Sequence, residues 1–299
     1  MLLEKYKNKS ILITGNSGFK GSWLTIWLES LGAKVTGFSL DIPSSPSNYE
    51  ISNLKDFSNT IFEDIRNFDS LEAAVEQSQP DFIFHLAAQS LVRKSYQSPI
   101  DTFSVNAIGS VNILQASRVL TKPVTIIMIT SDKAYDNVEW KWGYRENDAL
   151  GGKDPYSASK GMAELGIRSY FTSFIDKKEP LQKLGIARAG NVIGGGDWSV
   201  DRIIPDCVKS WSVNEKVKVR NPFATRPWQH VLEPLSGYLT LGALLESNSD
   251  INGEAYNFGP AADQNYSVSQ LIDEMKKNWD NVNWEKVSGN KEAPPEAGL

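Results

Sequence analysis

The sequence predicts a doubly wound α/β fold, a parallel sheet wrapped by helices, followed by a smaller, mixed α/β C-terminal unit. Three observations carry that prediction. An apolar run at residues 10–14 (SILIT) passes through a glycine-rich turn directly into helical periodicity. Short apolar runs then alternate with helical stretches as far as residue 187, which implies right-handed βαβ crossovers and a parallel sheet. After Arg188 the texture changes: glycines cluster in GNVIGGGDW, and NPFATRPWQH and GPAADQNYS interrupt helical patches.

Taken in order, residues 10–14 form a buried strand, and residues 20–31 place Trp23, Ile26, Trp27 and Leu31 at helical spacing. Residues 34–40 form a second strand. The Pro- and Ser-rich stretch 41–53 is read as loop. Residues 60–62 form a third strand that leads to Asp64, Ile65 and Arg66, with a helix over 71–77. Strands at 81–86 and 124–129 flank helical sequence from about 92 to 120. A long helix runs from Tyr156 to about Phe174, and residues 184–187 begin a sixth strand.

A chain of 299 residues can bury about three quarters of its unfolded surface, so global disorder is excluded and about two domains are expected. The net charge of −5 argues against a protein held to nucleic acid by phosphate contacts. The lone Cys207 cannot form an intramolecular disulfide and indicates a reduced, cytoplasmic chain. Neither a signal peptide nor a membrane-length apolar window is legible. With two histidines and one cysteine, no clustered zinc site is expected. The nine tryptophans are read mostly as core or pocket wall.

Residues 14–21 (TGNSGFKG) place Gly15, Gly18 and Gly21 between strand and helix. That spacing suits a tight turn, close backbone approach to a pyrophosphate, and close packing of helix on strand. The helix N-terminus then faces the phosphates of a dinucleotide, which makes the sheet Rossmann-type. Asp41 lies where an acidic residue would hold the adenosine ribose, although Ser39 occupies the more usual strand-end position. No arginine pair follows to accept a 2′-phosphate, which favours NAD over NADP. Asp64 follows the third strand and is placed to meet the adenine amino group. His85, inside an apolar strand, is read as a buried, hydrogen-bonded side chain, and the small residues after it suit a backbone lying against a cofactor.

Tyr156 and Lys160 stand four apart at a helix start and so share one face, and Ser131 closes the fifth strand. A lysine ammonium can stabilise a phenolate, and a serine hydroxyl can bond the same substrate oxygen. The adjacent Asp132 and Lys133 read either as an acid/base pair facing a substrate or as a strand-end salt bridge.

GNSGFKG, HLAAQS, TSDKAY and DPYSASK resemble the extended short-chain dehydrogenase/reductase family. Within it, GFKGSW, TSDK, EWKWGYRE and LGGKDPY are similar to the nucleotide-sugar 4,6-dehydratases that act on CDP-glucose. Asn16 departs from the histidine expected in that group. The resemblance implies that Gly15, Gly18, Phe19, Lys20, Gly21, Asp41, Asp64, Ile65, Leu86, Ala87, Ala88, Gln89, Asn106, Thr130, Tyr156 and Lys160 bind NAD. It implies catalysis by Ser131, Asp132, Lys133, Tyr156 and Lys160, and substrate contacts from Gln89, Ser131, Asn191, Arg202, Arg220, Arg226 and His230.

The implied reaction is an internal redox cycle. Tyr156 deprotonates the glucose 4-hydroxyl as C4 is oxidised, Lys133 takes the C5 proton, Asp132 protonates the departing 6-hydroxyl, and hydride returns to C6. Lys133 acts as a base only when neutral, so burial or a neighbouring positive charge must lower its pKa. The alternatives are a nucleotide-sugar 4-epimerase, which has no use for Asp132 and Lys133, or a dehydratase of a dTDP-, UDP- or GDP-hexose. A nucleotide-sensing regulator on the same fold would have lost Tyr156 or Lys160.

The resemblance further implies a homodimer or dimer of dimers through helices near 96–118 and 156–174, and a place in deoxysugar biosynthesis for lipopolysaccharide O-antigen. The domain reading assigns 1–187 to NAD, with a return segment near 227–258, and 188–226 with 259–299 to substrate. Residues 294–299 (PPEAGL) close no element, so a missing C-terminal portion of a few dozen residues is expected.

Overall fold

The computed structural model describes residues 2–175, 180–261, 263–280 and 282–287; the segment 294–299 lies outside them. The six strands of the first half are β1 (Ser10–Thr14), β2 (Lys34–Ser39), β3 (Asn59–Phe62), β4 (Phe82–His85), β5 (Val124–Ile129) and β6 (Gln182–Ala189). A seventh, Ala255–Phe258, returns from late in the chain to pair with β6. The sheet order is Ala255–Phe258, β6, β5, β4, β1, β2, β3, with every neighbouring pair parallel.

A fully parallel sheet must be covered on both faces, and alternation along each strand decides what goes where. Ile11 and Ile13 point to one face, where Leu24 and Leu28 of the helix Phe19–Ser30 meet Leu235 and Leu239 of the helix Leu232–Ser247. Leu12 points to the other, against Leu71, Ile113 and Ile167 of the helices Phe68–Ser78, Gly109–Ala116 and Pro155–Phe174.

A separate small core joins Cys207 and Trp211 of the helix Ile203–Ser212 to Val217, Val219 and Ile272. This smaller unit grips both banks of the sheet's carboxyl edge. Trp23 Nε1 donates to Gly195 O (2.8 Å) on one side, and Arg93 pairs with Asp201 (2.8 Å) on the other.

Three local expectations are corrected. The 41–53 stretch contains a helical turn, Asn48–Ile51, because Ser47 caps it by accepting from Glu50 N. Helical sequence from 92 to 120 is broken: Pro99 cannot continue the helix Val92–Gln97, so Pro99–Phe103 starts anew and passes through a π turn, Ser104–Ile108. The tryptophan reading is narrowed: Trp211 is buried, Trp23, Trp27 and Trp284 pack half-buried against the cores, and Trp140, Trp142 and Trp279 are exposed.

Candidate active site

Strand order reverses between β1 and β4, and in such sheets ligands bind outside the carboxyl ends at that point. The glycine turn lies there. Gly15 holds φ +76°, and a Cβ on it would meet Ala87 N at 2.8 Å. A Cβ on Gly21 would fall 2.0 Å from Gly15 O, so only glycine lets the helix sit this close to β1. The helix begins at Gly18 with no side-chain cap, which leaves its first N–H groups facing the crevice. This cradle fits the diphosphate of a dinucleotide.

The adenosine side is wired differently from its sequence reading. Asp41 stands exposed beyond β2, and its carbonyl accepts from Ser17 Oγ (2.5 Å). The strand-end Ser39 donates to Asn16 Oδ1 (2.7 Å), and Asn16 Nδ2 donates to Thr60 Oγ1 (2.8 Å). Asn16 is thus buried over Gly37, whose missing side chain makes the space. Asp64 is engaged by Arg66, which donates Nε to Oδ1 (2.9 Å) and holds the carboxyl below its usual range; Arg66 also reaches Asp101 (2.5 Å). The adjacent Ile65 is buried against Gly109.

Three residues expected to touch ligands spend their side-chain groups inside the protein. Gln89 Nε2 donates to Leu91 O and Thr102 Oγ1, and its Oε1 accepts from Leu91 N. Asn106, in the π turn, donates to Gln89 O (3.0 Å) and Ser159 Oγ (2.8 Å) and accepts from Gln89 N (2.8 Å). It therefore ties the loop carrying Leu86, Ala87, Ala88 and Gln89 to the helix of Tyr156. Thr130 donates to Glu164 Oε1 (2.7 Å). His85 is buried between Thr14 Oγ1 (2.8 Å) and Ser110 Oγ (3.2 Å), as a structural histidine should be. Burial, with Lys160 nearby, drops its pKa to about 3.

Ser131, Tyr156 and Lys160 are all buried beside the end of β5. Burial pushes the Tyr156 phenol up, opposed by a hydrogen bond with Ser131; nearby Asp132 adds to the rise. Burial also lowers Lys160 to about 8, with Glu164 opposing. Ser131 Oγ donates to Asp132 Oδ1 (3.0 Å), and Lys133 Nζ lies 3.8 Å from Asp132 Oδ2. Of the two routes expected to favour neutral Lys133, burial is not met: its side chain is 33% exposed, and its ion-pair partner is the Asp132 carboxylate.

Half-buried Lys20 lies 5.8 Å from the Tyr238 ring centre, and burial with the positive charges of Lys160 and Arg202 lowers it to about 7. Phe19 packs beside Gly194. Arg202 pairs with Asp197 (3.0 Å) at the crevice rim. Asn191 is half-buried, its carbonyl taking Gln229 N (3.0 Å). Arg226 is buried and donates to Thr225 O (2.7 Å), Arg220 is half-buried, and His230 is exposed.

The family profile described as GDP-mannose 4,6 dehydratase matches residues 12–295, nearly the whole chain. The chain belongs to the GDP-mannose 4,6-dehydratase family. Among relatives, it is 46% identical over 283 residues to a CDP-glucose 4,6-dehydratase of Salmonella typhimurium, covering 93% of this chain and 79% of the relative. The fold matches an epimerase, Mth375, from Methanothermobacter thermautotrophicus (TM-score 0.81, 22% identity, 97% of this chain and 82% of that one). It also matches a dTDP-glucose 4,6-dehydratase from Streptomyces venezuelae solved with NAD (TM-score 0.77, 22% identity, 94% and 85%).

In this member of the GDP-mannose 4,6-dehydratase family, sequence reasoning missed a polar cluster behind the site. Glu164 is fully buried one turn beyond Lys160, and Arg188 pairs with it. The signal was present: an arginine inside the apolar strand LGIARA must have a buried partner, and Glu164 repeats the four-residue spacing of Tyr156 and Lys160.

Proposed function

We propose that the chain is an NAD-dependent hydro-lyase that converts CDP-glucose to CDP-4-dehydro-6-deoxyglucose. The observation that carries the reading is the meeting, at the end of β5, of a Ser131–Tyr156–Lys160 set with an Asp132–Lys133 acid/base pair. The 46% identity to a CDP-glucose 4,6-dehydratase supports the substrate. A 4-epimerase would need the first set alone.

NAD, held over the glycine cradle, supplies the acceptance of hydride from C4 and its return to C6. Tyr156 takes the proton of the 4-hydroxyl, Lys160 stabilises the phenolate as an ammonium, and Ser131 hydrogen-bonds the same oxygen. The 4-ketone acidifies C5–H. A proton shift from Lys133 to Asp132 within the ion pair gives both in neutral form; Lys133 then takes the C5 proton while Asp132 protonates the departing 6-hydroxyl, which leaves as water. These two transfers leave an Asp132 carboxylate and a Lys133 ammonium. Lys133 then returns its proton to C5. The proton that Tyr156 took from O4 passes through Ser131 to Asp132, and the cycle closes without a proton from solvent.

Cofactor contacts come from Gly15, Gly18, Phe19, Lys20, Gly21, Ile65 and the 86–88 backbone, with Gln89, Asn106 and Thr130 holding that wall in place. Asn191, Arg202, Arg220, Arg226 and His230 serve the nucleotide diphosphate, for which the guanidinium fork is suited. The cofactor domain is 1–187 with the return segment 227–258, and the remainder binds substrate. Exposed Ile100, Ile108, Met162 and Leu165, on helical segments between 99 and 174, support a dimer face there. Among described residues no helix is long and apolar enough to cross a membrane; the lone Cys207 supports a reducing, cytoplasmic setting.

Incubation with CDP-, dTDP-, UDP- and GDP-hexoses, scored by the alkali-induced absorbance of 4-keto sugars, tests the reading. Activity confined to another nucleotide would overturn the substrate and spare the mechanism. Inversion at C4 without water loss would overturn both.

A further inference from the structure

The chemistry at the end of β5 depends on distances between side chains from three separate elements. Ser131 follows β5, Tyr156 and Lys160 come from the helix Pro155–Phe174, and the half-buried Asn191 follows β6. Glu164 is bonded across all three. Its Oε1 accepts from Thr130 Oγ1 (2.7 Å), the residue before Ser131, and from Arg188 Nε (2.7 Å), three residues before Asn191. Its Oε2 accepts from Arg188 Nη2.

Arg188 carries the register outward. Its Nη1 donates to Tyr135 Oη (2.6 Å) and to Glu146 O (3.0 Å), with the guanidinium carbon 4.7 Å from the Tyr135 ring centre. Tyr135 Oη donates to Asn257 Oδ1 (2.7 Å) on the edge strand, and Asn257 N donates to Glu146 Oε1 (2.9 Å). The loop from Lys133 to Pro155 is thus pinned at both Tyr135 and Glu146.

We propose that the buried Glu164–Arg188 pair is a positioning device that sets Ser131 against Tyr156 and Lys160, so that C4 oxidation requires it although neither residue touches substrate. Two points favour this over a purely structural role. A buried ion pair is a poor source of net stability, since apolar replacement of both partners is often neutral. And the bonds to Thr130, Arg188 and Tyr135 each end within three residues of a group assigned to the chemistry, where displacement by an ångström can cost about 100-fold in rate.

The inference rests on the proposed dehydratase activity, and the experiment separates the two. CDP-glucose is mixed with the NAD-loaded enzyme in a stopped-flow cell, and NADH formation is followed at 340 nm with thermal midpoint, NAD affinity and KM as companion readouts. Absence of any NADH with the wild type overturns the functional reading itself. With the wild type active, the double variant Glu164→Leu/Arg188→Met is expected to keep NAD affinity and KM within about threefold and to lose at least about tenfold in the oxidation rate. A folded double variant with the wild-type rate overturns the inference. Thr130→Val, which removes one bond to Glu164 at equal volume, is expected to lower the same rate several-fold with KM unmoved. An unchanged rate in Thr130→Val overturns the inference even where the double variant fails to fold.

Discussion

Ser131 Oγ donates to Asp132 Oδ1 across 3.0 Å, and Ser131 also opposes the burial that raises the Tyr156 phenol. One serine therefore connects the proposed base for the 4-hydroxyl with the proposed acid for the 6-hydroxyl. Ser131→Ala should lower kcat about 100-fold, the scale of a lost transition-state hydrogen-bond donor, with NAD affinity unchanged. Titration calorimetry with NAD beside steady-state turnover checks this; a kcat within threefold of wild type would remove Ser131 from both steps.

Lys133→Ala should separate the half-reactions. On mixing with CDP-glucose it should still reduce NAD, giving absorbance at 340 nm, yet release little keto-deoxy product. Mass spectrometry of quenched turnovers distinguishes the outcomes, and normal product formation would exclude Lys133 as the C5 base.

Tyr156→Phe should abolish NADH formation to within about 10⁻² to 10⁻⁴ of wild type, the range for a lost general base. Because burial holds the phenol above its ordinary pKa, the wild-type oxidation rate should rise from pH 6 to pH 8. A flat profile over that range would contradict Tyr156 as the base.

His85 gives the fold an acid limit. Its folded pKa is about 3 against an ordinary 6.5, so between those values the unfolded chain binds the proton and the native chain does not. Stability from this group is complete above pH 6.5 and falls as pH drops towards 3, by up to about 1.4 kcal/mol per pH unit. His85→Gln should flatten the acid side of the Tm-versus-pH curve, and an unchanged slope would show that other groups set it.

Gly21→Ala places a methyl 2.0 Å from Gly15 O, a backbone atom that cannot yield. The helix must move off β1, at a cost of about 1–3 kcal/mol, and NAD affinity should fall at least about tenfold. Chemical denaturation and NAD titration read the two effects, and normal NAD affinity would argue against this turn as the cofactor cradle.

The cofactor half was legible because local signals agreed: strand, glycine turn and helix are contiguous at 10–31, and alternation such as Ile11 and Ile13 against Leu12 assigns the two faces. The grouping of Ser131, Tyr156 and Lys160 beside one strand end was legible from spacing along one helix and the end of β5. What sequence could not show were partners chosen by tertiary proximity. Asn106 was read as a ligand contact, but the π turn rotates it onto the 86–89 loop. Thr130 and Gln89 were likewise read as contacts, while Glu164 and the loop backbone claim them. For Lys133 the role asked for burial or a neighbouring positive charge, and the fold instead leaves it partly exposed beside Asp132, because chemistry proposed for one residue does not dictate its surroundings.

The pairing of Ala255–Phe258 with β6 means that the cofactor half is not encoded by a contiguous piece of the gene. A fragment ending near residue 193 would leave β6 as a bare edge of eight apolar-rich residues, ready to pair with other chains. During synthesis the ribosome must deliver most of the smaller unit before that edge can be closed. Splitting this enzyme between its two functions would therefore yield an aggregating first half rather than an independent nucleotide binder.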